Sequence, residues 1–196
     1  MNEKNVIAAI LNGYIETANT PGLSPRQRSE RFVENATRHI RSVFNLPNQC
    51  TLSRPCNNPI SNMFPAGRQE LLFDIHSFEY ETTASPGAGS ELLVIRRSLL
   101  QLESEMPDSN NYRELFDDYN KLVCGDAEMK VFVCPNPDAG LGVNHIAAFN
   151  AVAKYIQGSL YIVALPHLRW WNGEITANTP TYKVYRKNLI GQVEVI

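Results

Sequence analysis

The sequence predicts an α/β fold: a mixed central sheet flanked by helices, with an added helix at the N-terminus and a β tail at the C-terminus. Three observations predict it. Short, nearly continuous apolar runs, such as Met129-Lys-Val-Phe-Val-Cys134 and Leu160-Tyr-Ile-Val-Ala-Leu165, read as strands covered on both faces. Segments with apolar residues at helical spacing alternate with these runs. The 196 residues, 43% hydrophobic and 19% charged, suit one domain with a sizeable core.

The elements follow in order. Ile7, Ile10, Leu11, Tyr14 and Ile15 form one stripe of a helix over residues 3–18, and Thr20-Pro21-Gly22 ends it. This start lacks a basic leader region and reads as an amphipathic helix, not a secretion signal. Ser24-Pro25-Arg26-Gln27 opens a second helix: Ser24 caps, Pro25 fits the first turn, and Gln27 completes a capping box. That helix runs to about Phe44, with Val33, Ala36, Ile40 and Val43 inward. Residues 45–68, with four prolines and five asparagines, read as a long loop of the kind that is often functional.

A strand is expected over Glu70–Tyr80, central in the sheet because apolar residues fall on both of its faces. A turn rich in Ser, Gly and Pro covers 82–90, and a second strand runs to Glu105. Tyr112, Leu115, Phe116, Tyr119, Leu122 and Val123 make the apolar face of the next helix, with Gly125 at its end. The strand ending at Cys134 follows, then a helix over 144–157 closed by Gly158, then the strand 160–165. Trp170-Trp-Asn-Gly-Glu174 suggests a hairpin turn, and Thr181–Arg186 and Gly191–Ile196 supply the last strands.

No stretch approaches the eighteen or so apolar residues of a membrane span. With no leader and only four cysteines, reduced thiols and a cytoplasmic location are expected. Cys124 and Cys134 read as small core residues. Cys50 and Cys56 share a loop but lack the further ligands and close spacing of a zinc knuckle. The net charge of −2 neither favours nor excludes nucleic acid. The arginines of 25–44 give a local basic bias of the kind that can face nucleic acid, but their plainer reading is a solvated helix face.

Asp74 is the first candidate for chemistry, because a carboxylate among apolar strand residues is costly without a partner. Strand alternation puts Leu72, Asp74, His76 and Phe78 on one face, and Gln101, Glu103 and Glu105 on one face of the later strand. If those strands are neighbours with matched faces, three carboxylates converge. Such a cluster asks for a cation, and an all-oxygen site suits Mg²⁺ or Mn²⁺. The plainer reading has Glu103 and Glu105 on a solvated strand end and Asp74 paired with an arginine.

Three segments together resemble the PD-(D/E)xK superfamily, the restriction-endonuclease-like nucleases. Arg68-Gln-Glu-Leu-Leu-Phe-Asp74 is similar to the strand that ends in the first metal-binding aspartate. Leu99-Leu-Gln-Leu-Glu-Ser-Glu105 is similar to the strand carrying the (D/E)xK element. Phe116-Asp-Asp-Tyr-Asn-Lys-Leu-Val123 with Met129-Lys-Val-Phe-Val133 resembles the helix and strand that complete the core. The resemblance covers residues 68–134. It departs at two positions: Phe73 replaces the motif proline, and Glu105 stands where the lysine would.

The resemblance implies a restriction-endonuclease-like αβββαβ core and a Mg²⁺- or Mn²⁺-dependent nuclease, most naturally a DNA endonuclease of restriction, defence or repair. Asp74 and Glu103 would bind metal, with Glu105 assisting. Lys121 would take the migrated lysine's role; its alternative is a plain ion pair with Asp117, four residues earlier. The resemblance also calls for an acid in the preceding helix; Glu30 and Glu34 both qualify, with Glu30 nearer the edge of the apolar stripe, and the plainer reading of either is an exposed glutamate. Arg54, Arg68 and His76 are candidates for substrate contacts, His76 reading more plainly as a hydrogen-bonded core histidine; Trp170 and Trp171 could stack on bases, but more plainly fill the core or an interface. The product would be a 5′-phosphate and a 3′-hydroxyl. An enzyme that cuts duplex DNA would be a homodimer, presenting one site to each strand. The alternative is a catalytically inactive nucleic-acid- or protein-binding module on the same fold, with Glu105 marking the lost lysine.

Overall fold

The computed structural model describes residues 2–53, 73–84, 91–106, 112–136, 141–168, 171 and 181–196. Its elements run α1 (Glu3–Ala18), α2 (Pro25–Val43), β1 (Gln49–Ser53), β2 (Ile75–Ala84), β3 (Glu91–Ser104), α3 (Tyr112–Cys124), β4 (Ala127–Asn136), α4 (Val143–Ala153), β5 (Ser159–Pro166), β6 (Lys183–Lys187) and β7 (Val193–Val195). The strands form one sheet in chain order, β1 to β7. β1, β2 and β3 pair antiparallel, as do β5, β6 and β7. β3, β4 and β5 are parallel, since α3 and α4 each return the chain to the same end of the sheet. The predicted α/β class and mixed sheet are therefore present.

Alternation along β4 and β5 divides the core. Val131, Val133 and Val163 face α1 and α2, while Phe132, Cys134, Ile162 and Ala164 face α3 and α4. The α2 start forms as its residues dictate. Ser24 Oγ accepts from the Gln27 N–H, and Gln27 Oε1 accepts from the Ser24 N–H, behind Pro25. α1 and α2 pack closely at Gly13, where an added Cβ would lie 2.6 Å from the Ala36 nitrogen. Gly13→Val is expected to destabilise the fold by about 2 kcal/mol by prising the helices apart; urea unfolding measures it.

α3 is held by aromatic packing and by one buried amine. The Tyr119 ring meets Phe132 and Phe149 edge-on at 5.1 and 4.7 Å. Lys130, fully buried on β4, donates to the Gly125 carbonyl at 2.7 Å and so satisfies the backbone just beyond the helix end. These contacts fix how α3 sits over β3 and β4.

Several local expectations need correcting. Residues 49–53 of the presumed loop form β1, because they pair with β2 from Gln49↔Glu79 to Ser53↔Ile75. β2 starts at Ile75, so Asp74 precedes the strand instead of lying inside it, and Thr82–Ala84 extend it where a turn was expected. The buried stripe of α1 runs through Val6, Ile10 and Tyr14, leaving Ile15 exposed, because α2 and the sheet contact it from a slightly different side. Cys124 is exposed at the end of α3, whereas Cys134 is buried. α4 stops at Ala153, before Gly158. The Asn172-Gly173 turn, Trp170 and Cys56 lie outside the described residues, while Trp171 is fully buried against Tyr14 and Phe32 and offers no face for a base. No helix among the described residues is long and apolar enough to cross a membrane.

Candidate functional site

Asp74, at the start of β2, is tied to the end of β3. Its Oδ2 accepts from the Ser104 N–H at 2.9 Å and from the Ser104 hydroxyl at 2.7 Å. β2 and β3 are antiparallel neighbours with Ile75↔Leu102 and His76↔Gln101 paired, which brings Asp74 and Glu103 to the same end and face of the sheet. Glu103 is 1% exposed on the face covered by α3. Burial, then the Asp74 charge, pushes its carboxyl up to about 8. Its Oε1 is buried without a hydrogen-bond partner among the described residues.

Among the described residues, the cation at this site is Lys121. Its Nζ lies 3.5 Å from Glu103 Oε2 and 2.7 Å from Asp118 Oδ1. Burial alone would lower the Lys121 pKa, but Asp118 and Glu103 together raise it, so the ammonium form is held. The expected partner Asp117 instead faces Arg113 at 3.8 Å and is largely exposed. Asp118, one residue on, lies on the sheet side of α3.

Glu105 continues the β3–β4 ladder through its N–H to the Val133 carbonyl. Burial, followed by a hydrogen bond with Asp118, pushes its carboxyl up to about 7. Burial also raises Asp74, against the two hydrogen bonds from Ser104. Asp74, Glu103, Glu105, Asp118 and Lys121 are thus one electrostatic unit. It sits where the parallel strands β3 and β4 end, outside whose carboxyl ends ligands bind in open α/β sheets.

Other candidates fall elsewhere. Glu30 is on α2, which covers the opposite face of the sheet, and pairs with Arg26 at 2.9 Å. His76 shares the Asp74 face, but its Nε2 lies 2.5 Å from Ser98 Oγ, deeper in the sheet, and burial lowers it to about 4. It is a neutral histidine of the core. Arg54 and Arg68 lie outside the described residues. Ser104 and Asp118 had not been singled out from the sequence. The signal for Asp118 was present, since an aspartate three residues before a lysine shares its helix face.

As a donor set, carboxylates are hard oxygen ligands of the type Mg²⁺ and Mn²⁺ take. Among the described residues, no three of His, Cys, Asp and Glu are gathered so as to hold a metal ion by themselves. Mg²⁺ commonly uses one or two carboxylates and fills its remaining positions with water and phosphate oxygens. Asp74 and Glu103, with the unpartnered Glu103 Oε1, fit that sparser arrangement.

No protein-family model, curated protein or solved structure matches the chain.

Proposed function

We propose that the chain is a divalent-metal-dependent nuclease of the PD-(D/E)xK kind, cutting phosphodiester bonds in nucleic acid, most naturally DNA. The observation that carries this reading is the meeting of Asp74, Glu103 and Lys121 at one end of the sheet. The element order supports it. α2, β1, β2, β3, α3 and β4 follow one another as αβββαβ, with the acids at the start of β2 and the end of β3. β1, absent from the sequence reading, is the first of the three strands.

In this reading Asp74 and Glu103 would hold Mg²⁺ or Mn²⁺, and Ser104 would turn Asp74 toward it. The cation, when bound, supplies Lewis acidity toward the phosphate and its attacking water. Lys121 places a fixed positive charge where negative charge grows on the phosphoryl oxygens. The α3 helix and the sheet exclude water from Glu103, which strengthens each of these interactions.

Cleavage of plasmid and of single-stranded DNA, with Mg²⁺, with Mn²⁺ and with chelator, tests the proposal beside Mn²⁺ calorimetry. Metal-dependent nicking and Mn²⁺ binding are expected, both abolished by Asp74→Ala. Unchanged Mn²⁺ binding in that variant, with no cleavage by the parent protein, overturns it. The second reading, a binding module without catalysis, is favoured by Lys121, whose ammonium already stands beside Glu103 where a metal cation would sit. Nucleic-acid binding without cleavage under every metal condition would select it.

A further inference from the structure

A catalytic lysine on a helix has to be held in place by something, because its four-carbon stem has many rotamers that must be given up to order it. Glu103 alone is a loose anchor at 3.5 Å. The short contact is with Asp118, at 2.7 Å, three residues earlier on the same helix. The Asp118 side chain is 22% exposed and that of Lys121 is 37% exposed, so the pair sits at the rim of the buried carboxylates instead of in open water. Through the lysine it is linked to Glu103 on β3.

Asp117 provides an internal comparison. It has the same chemistry and is adjacent in sequence, but its side chain is 69% exposed and it faces Arg113. Helical geometry would allow either aspartate to meet Lys121. The direction in which the sheet lies selects Asp118.

We propose that Asp118 is a positioning residue that fixes the Lys121 ammonium over Glu103. Its consequence for catalysis rests on the nuclease reading, whereas the positioning itself does not. Asp118 needs no contact with substrate: it narrows the rotamers of Lys121 and leaves the reacting groups to the lysine and the carboxylates.

The test is NMR of ¹⁵N-lysine-labelled protein, reading the ammonium protons of Lys121, beside steady-state kinetics. A hydrogen-bonded ammonium exchanges slowly with water and gives a resolved signal, assigned by its loss in Lys121→Arg. The signal is expected in the parent protein and in Asp117→Asn. It should vanish in Asp118→Ala and return in part in Asp118→Glu. With DNA as substrate, Asp118→Ala should lower kcat about a hundredfold with KM little changed, as misplacement of a catalytic group does. An unaltered Lys121 signal in Asp118→Ala, or no such signal in the parent, overturns the proposal. Should Asp118→Ala fail to fold, Asp118→Asn replaces it; loss of the signal there supports the proposal and an unaltered signal overturns it. Absence of all cleavage would remove the nuclease reading, while the NMR comparison would still decide the positioning.

Discussion

Lys121→Met is expected to abolish detectable cleavage while the protein still binds Mn²⁺. The stem of the residue is retained and the charge is lost, so packing of α3 changes little. Removing a single preorganised group that stabilises transition-state charge commonly costs about 10²–10³ in kcat. Metal binding should hold or tighten, because the ammonium at 3.5 Å is itself a competitor for the Glu103 charge. Plasmid nicking and Mn²⁺ calorimetry on the same preparation give both readings. Full activity in the variant would remove Lys121 from the chemistry.

The second large effect is on stability against pH. The carboxyls of Glu103 and Glu105 are pushed up to about 8 and about 7, and that of Asp74 is also raised. The sign follows from proton counting. In the unfolded chain glutamates release their protons near pH 4.3. Between that value and about pH 8 the folded protein therefore holds protons that the unfolded chain has given up, and stability falls as pH rises. Acid raises the stability over this window, the reverse of the usual salt-bridged carboxylate. Glu103→Gln should flatten the decline and stabilise the protein by a few kcal/mol near pH 8.5. Saturating Mn²⁺ should protect the parent most at the alkaline end, since it binds the deprotonated form. Urea unfolding at about pH 5.5, 7 and 8.5 measures all three. Stability that rises with pH across this range would contradict the electrostatic picture.

Much of the fold was legible because the local rules agree with one another. Ser24, Pro25 and Gln27 specify a helix start whatever packs against it. The runs at 129–134 and 160–165 are too apolar for anything but strands covered on both faces. β1 was hidden because Gln49–Ser53 is short, mixed in composition and set among prolines and asparagines. It is a strand by virtue of its partner, β2. At the site, Asp74 and Glu103 stand out by residue type and strand alternation, whereas Lys121 enters only through the resemblance. What chain order could not supply is orientation. Asp118 and Asp117 differ by one position, and only the packing of Tyr119 and Leu122 on the sheet decides which one meets the lysine. Ser104 was passed over for the same reason: its hydroxyl matters only because the antiparallel register of β2 and β3 places Asp74 beside it.

The strand order has a consequence for how the protein comes to be made. Strands that neighbour each other in this sheet are also consecutive in the chain. The sheet can therefore grow at one edge, each new strand docking on the strand synthesised just before it. Contacts of this sort are local, and local contacts favour rapid folding. During translation the chain emerges N-terminus first at about 5–20 residues per second. Asp74, Glu103, Asp118 and Lys121 all precede β4, whose Phe132 seats α3. The carboxylate–lysine unit can thus be assembled once β4 has left the ribosome, with α4 and β5–β7 added to a working edge afterwards.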